Sequence, residues 1–276
     1  MLEIQENRDY SKIFQEMVLF LKNLGLAVHT NTKARGHQGF FLKDRIDISI
    51  NLPDKRKIEV LIHEFTHFVH YQIDGDVFKN HGSLDVLFPN SDIKIIEEEL
   101  YNVTRFVDTN KSFNLLEEQR IKVLEQIKSL DKKIKVRYPD FRRSYDYPIF
   151  TKTINKCDAK YLLKYDRVQV KTMFFGGNKI YSVQNIDSDF PNLDEYVKDY
   201  IRIKAQQRKL KRISSRLNKL ERYYRRPTEL FARFVEGLFI DTSKVAEIAP
   251  YTYLVFCKEL SQNRYFILAD FINKFF

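Results

Sequence analysis

A chain of 276 residues with 43% hydrophobic residues and 23 phenylalanines has the material for one sizeable core, or for a core with a substantial appendage. No apolar run approaches a membrane span, the polar and acidic Met1–Tyr10 lacks the apolar region of a secretory signal, and Cys157 and Cys257 make no paired metal pattern; the expectation is a soluble cytoplasmic protein. The formal net charge of +10 sits on one segment, since Lys198–Arg226 carries twelve Lys/Arg against Asp199 and Glu221, while the remainder balances at 35 basic and 35 acidic residues.

The first 75 residues read as a compact α/β unit. An amphipathic helix over Tyr10–Leu24 leads into an extended Leu26–Thr30. Two strand-like runs follow, Gly39–Leu42 and Ile46–Ile50, joined by Lys43-Asp44-Arg45 as a hairpin. Pro53-Asp54 then gives a helix start and Asp74-Gly75-Asp76 a stop. On this helix stands His63-Glu64-Phe65-Thr66-His67, amid Val60, Leu61, Ile62, Phe68 and Val69. Imidazoles at i and i+4 project from one helix face and reach one tetrahedral metal, expected to be Zn2+. Glu64 is then placed as the general base that takes a proton from the attacking water. His70, one further turn along, is more often a packed histidine than a fourth ligand.

Two histidines leave a third protein ligand to be found. One candidate is the acidic run Glu97-Glu98-Glu99, on a helix through Leu100, Val103 and Phe106. The other is Glu229 in Arg226-Pro227-Thr228-Glu229-Leu230-Phe231-Ala232-Arg233-Phe234-Val235-Glu236, where Pro227 suits a first helical turn. There Glu229, Ala232, Arg233 and Glu236 share a face, and the small Ala232 allows close approach to a metal. A helix ion pair with Arg233 is the bland role for Glu229, and a solvated face that for the triplet.

Between these candidates the period changes to heptads. Phe113, Leu116, Arg120, Val123, Ile127, Leu130 and Ile134 step by three and four, as do Ile203, Gln206, Leu210, Ile213, Leu217, Leu220 and Tyr224. The pattern predicts an antiparallel coiled-coil arm over 113–224. The insert at about 136–196 forms a small α+β tip, with strand-like Arg167–Phe175 and Lys179–Val183 around Gly176-Gly177-Asn178. Arg208, Lys211, Arg212, Arg216 and Lys219 then lie on or beside the solvent side of the arm, a face suited to nucleic acid or to an acidic protein.

The H-E-x-x-H core resembles the gluzincin-type intracellular metallopeptidases, including the ImmA/IrrE group. The E-L-F-A-R-F-V-E segment resembles the E-L-F-A-R-x-F-E motif in zincin-like domains of large polyvalent phage and mobile-element proteins. It is also similar to the E-x-x-A-D motif of HtpX-type peptidases, with Arg233 in place of the aspartate. The resemblance covers the first 75 residues and about fifteen around Glu229. It implies an α+β fold, a minimal zincin core of helix, short antiparallel or mixed sheet and H-E-x-x-H helix; the inserted coiled-coil arm, read from the heptads, departs from the compact families. Residues 1–112 would form the N-terminal part of that core and 225–276 the helices completing it. It implies His63, His67 and Glu229 as ligands, Glu64 as general base, and Asp47–Asn51 as a strand guiding an extended substrate. The activity expected is zinc-dependent hydrolysis of a protein or peptide, with Arg233, Tyr223, Tyr224 or His70 as a transition-state donor. The alternative is a nucleic-acid-associated binding protein whose core is structural or acts on DNA- or RNA-bound proteins.

Overall fold

The computed structural model describes residues 9–32, 37–108, 112–171 and 178–276. The fold is mostly helical with a small mixed sheet, an α+β chain. It divides into two compact units, Met1–Lys111 with Glu221–Phe276, and Ser112–Leu220.

The first unit opens with α1 (Tyr10–Asn23), whose N-cap Asp9 accepts a hydrogen bond from the Lys12 amide. Gly25, at φ 84°, takes the left-handed turn after it. Strands β1 (Ala27–Thr32), β2 (Gly39–Leu42) and β3 (Arg45–Ser49) form a sheet in the order β1-β3-β2, parallel between β1 and β3 and antiparallel between β2 and β3. Lys43-Asp44 makes the hairpin turn, with Lys43 at φ 55°, so Arg45 is already a strand residue. The centre of the sheet is β3, whose two edges are both paired. The expected docking of an extended substrate along Asp47–Asn51 finds no free hydrogen-bonding edge over Asp47–Ser49, the part of that run that lies in β3.

Helix α2 (Asp54–Ile73) begins after Pro53 and packs against the sheet. Short helices α3 (Val77–Asn80) and α4 (Leu84–Leu87) follow, then α5 (Ile93–Val107), capped by Asp92.

The second unit contains α6 (Ser112–Arg137), α7 (Arg143–Ile154), a 3-10 turn (Asp158–Leu163), the hairpin of β4 (Arg167–Lys171) and β5 (Asn178–Ser182), α8 (Ile186–Asp189) and most of α9 (Glu195–Tyr224). The expected Gly176-Gly177 turn lies outside the described residues. Ile134, Phe141, Phe150, Ile154, Leu162, Tyr181, Ile186, Tyr200 and Ile201 form the core of this unit. On the heptad positions Val123, Ile134, Ile213 and Leu217 are buried, whereas Arg120 is exposed.

The chain returns to the first unit as α10 (Pro227–Ile248), α11 (Pro250–Ser261) and α12 (Phe266–Phe275). Helix α10 lies against both α2 and α5, and α12 against α2. Fully buried Phe65, Phe231, Phe234, Phe256 and Phe271 join these helices into one core. Sheet and helices thus leave most of α2 out of water, from Ile58 through Thr66. No described helix is long and apolar enough to cross a membrane.

Candidate metal centre

His63 and His67 stand one turn apart on the α10-facing side of α2, with ring centroids 4.8 Å apart and planes at 88°. Glu229 approaches them from the first turn of α10. Pro227 occupies the position where a missing amide costs nothing. The Thr228 amide donates to the His81 carbonyl at 3.1 Å and pins that turn in place. One carboxylate oxygen, Glu229 Oε2, lies 3.4 Å from His63 Nε2, and the other, Oε1, 3.6 Å from His67 Nε2. Ligands about 2.0–2.1 Å from a tetrahedral zinc are about 3.3–3.4 Å from one another. All three residues offer atoms within 4.8 Å of each other, and Glu229 Oε2 is buried without a hydrogen-bond partner. Two imidazoles around an orphaned buried carboxylate oxygen make a donor set that fits a metal ion.

Electrostatics point the same way. Burial pushes the His63 imidazole down, but Glu229 and Glu236 outweigh it and raise its pKa to about 9. His67 is lowered to about 3, chiefly by burial. Burial alone would raise Glu229, yet His63 and His67 hold it at about 2. In the chain alone, one protonated imidazole answers the carboxylates; a divalent cation answers them better and uses both rings as neutral donors.

A second carboxylate orients the His63 ring. Glu236 lies two turns beyond Glu229 and is fully buried. Its Oε2 is 3.1 Å from His63 Nδ1 and accepts the hydrogen there, so that Nε2, facing Glu229, is the nitrogen left to donate to a metal when the ring is neutral. Arg56 and Arg233 donate to Glu236 at 2.8 and 2.9 Å, and Arg56 also reaches Glu59 at 2.7 Å and Gln38 at 2.9 Å. Arg56 went unnamed in the sequence, and Glu236 stood there only as a residue on the face of Glu229. The signal was present in the seven-residue spacings Arg56–His63 and Glu229–Glu236, each two turns on one face.

Glu64 points beside the ligand trio. Burial, then its acidic neighbours, raises its pKa to about 7, against the pull of His63 and Arg233. A cavity of about 330 Å3 opens over Glu64, His63, His67 and Glu229, bordered by Phe40, Phe41 and Tyr223. A polar recess of about 170 Å3 continues past Glu64 to Arg56, Arg233 and Glu236. His37 and His81, unassigned in the sequence reading, also border the larger cavity. Strand β2 forms its wall. A Cβ at Gly39 would overlap Val60 Cγ1 and come within 2.7 Å of Glu64 Oε1, so only glycine lets the strand lie directly on that carboxylate.

Other expected residues separate. Tyr223 lines the cavity, its hydroxyl pKa raised by burial and by Glu229. Arg233 reaches the recess but is tied to Glu236. Tyr224 is buried and its hydroxyl is turned to Asp108, away from the expected donor role. His70 also leaves the list: it lies two turns from His63, about 10 Å along the axis, buried beside Phe231 and Gly82. The acidic triplet has other work. Glu97 and Glu98 pair with Arg225, while Glu99 accepts hydrogen bonds from the Tyr251 and Thr252 amides at the start of α11. No family model, curated protein or solved structure matches this chain.

Proposed function

We propose that the protein is a zinc-dependent peptidase acting on a protein or peptide substrate, with the first unit a zincin-type core and the second an inserted coiled-coil arm. The observation that carries the reading is that His63, His67 and Glu229 offer donor atoms within 4.8 Å of one another beside a buried carboxylate, Glu64, that stays outside that set. Burial of Val123, Ile134, Ile213 and Leu217 on the heptad positions supports the arm.

His63, His67 and Glu229 would hold the ion, which when bound supplies Lewis-acid activation of the scissile carbonyl and of the attacking water. Glu64 does the proton work. Burial raises its pKa in the metal-free chain, and beside the ion the carboxylate would take a proton from the attacking water and return it to the leaving amine. Tyr223 offers a hydroxyl donor at the cavity rim to the oxygen that gains charge. Strand β2, with its outer edge unpaired among the described strands, aligns an extended peptide in place of the central β3.

The test is metal analysis of protein purified without affinity-tag metals, joined to a peptide-hydrolysis assay. Glu64→Gln should keep zinc and lose hydrolysis, and His67→Ala should lose both. Wild-type protein that takes up no stoichiometric zinc under metal-replete conditions sinks the proposal.

A further inference from the structure

The excess positive charge belongs to the second unit. Residues 112–220 hold 25 Lys/Arg against 13 Asp/Glu, and the rest of the chain holds 22 against 24. Part of that charge is engaged internally. Arg208 donates to the Leu163 carbonyl and to Asp166, and Arg212 to Asp166, so neither is the free solvent-side cation expected from the heptads. Arg202, Arg137 and Lys198 are likewise paired with Asp187, Asp199 and Glu195. Lys209, Lys211, Arg216 and Lys219 on α9 are exposed and have no ion-pair partner among the described residues. Lys209, Arg212, Arg216 and Lys219 recur every three or four residues, a single row about 15 Å long.

The row begins at a groove of about 340 Å3 between the hairpin and α9, lined by Arg167, Ser182, Gln184, Gln206, Lys209 and Arg212, with Asp166 its one acidic side chain. Gln206 also lines a second groove of about 370 Å3, on the α6 side, together with Lys133, Ser129 and Gln126. The carbonyl oxygen of Gln206 is buried without a hydrogen-bond partner. The fitting ligand is therefore serially anionic and brings a flat donor–acceptor edge to a side-chain amide. A nucleic-acid strand has both, with one phosphate per nucleotide and base edges that pair with Gln. An acidic peptide also brings planar amides, but it carries its charge on flexible side chains, whereas a strand carries one phosphate on every backbone unit.

We infer that the second unit binds a single nucleic-acid strand along Arg167, Lys209, Arg216 and Lys219, with a base against Gln206. This inference does not depend on the metal centre. The experiment is fluorescence anisotropy of the full chain with a labelled RNA strand of about 20 nucleotides, the matching DNA strand, and polyglutamate as competitor. Four neutralised phosphates predict affinity about 50-fold weaker at 200 mM than at 50 mM salt. Reversing Lys209, Arg216 and Lys219 to glutamate, at exposed positions, should weaken binding at least about tenfold and flatten that salt slope. Gln206→Ala should weaken binding about fivefold with the slope unchanged. RNA binding tighter than DNA would identify the 2′-hydroxyl as a contact, and equal binding would identify the shared backbone and bases. Lys209→Gln with Lys219→Gln is the milder pair should the reversal variant misfold, and it should also weaken binding. The inference is overturned by absence of binding at 50 mM salt, by full affinity in the charge variants, or by polyglutamate displacing the strand at equal charge concentration.

Discussion

Glu236 holds the Nδ1 edge of His63 from 173 residues further along the chain, at 3.1 Å, and is itself held by Arg56 and Arg233. The contact holds the ring of this candidate ligand with its other nitrogen facing Glu229. Glu236→Ala should weaken zinc binding by about 10- to 100-fold while leaving all three ligands in place. Glu236→Gln, which can still accept from Nδ1, should weaken it less. Competition with a chromogenic chelator reads both, and an unchanged zinc Kd in Glu236→Ala would make the contact merely structural.

Glu229 and Glu99 are both acidic residues in the first unit, with different surroundings and different expected losses. Glu229→Ala removes a ligand and should abolish stoichiometric zinc. Glu99→Ala removes the acceptor for the Tyr251 and Thr252 amides and the Thr252 hydroxyl, and should cost about 1–2 kcal/mol of stability. Its zinc content should match wild type. Metal analysis beside thermal melts separates the two, and the opposite pattern would return the ligand to the acidic triplet.

The site was legible in sequence where chemistry follows local spacing. His63, Glu64 and His67 are fixed by helix geometry, and Glu229 stood out because Pro227 marks a new helix in an apolar run. What stayed hidden depends on tertiary neighbours. Nothing in Arg45–Ser49 says that β2 will pair on one side of it and β1 on the other, so the free edge was assigned to the wrong strand. Heptad phase placed Arg208 and Arg212 near solvent but could not show Asp166 arriving from the hairpin to pair with them. The Glu236 role needed α10 laid against α2, which periodicity along one helix does not encode.

His70 predicts acid sensitivity. Burial lowers its pKa to about 4 against the partial compensation of Asp74, from 6.5 in an ordinary setting. The folded state thus favours neutral imidazole. Its contribution to stability is complete above the unfolded pKa and is lost as pH falls from about 6.5 toward 4. By linkage that loss is about 2 kcal/mol between pH 7 and pH 5. Urea melts in the presence of a chelator, for wild type and His70→Phe, cancel the titration of His63 and His67, which both proteins share. The stability gap should move by about that amount in favour of the variant at pH 5. A gap independent of pH would mean His70 titrates alike folded and unfolded.

Gly39 connects the sheet to Glu64, the proposed general base. A methyl group there would overlap Val60 and press on Glu64 Oε1, while His63, His67 and Glu229 lie outside its nearest contacts. Gly39→Ala should therefore keep zinc, destabilise the fold by about 1–3 kcal/mol through overpacking, and lower kcat more than it raises KM. Adding Val60→Ala removes the aliphatic overlap but not the pressure on Glu64. Stability should recover in the double variant while hydrolysis stays low. Full recovery of kcat would show that the defect came from packing alone and that β2 need not meet Glu64 closely for the reaction to proceed.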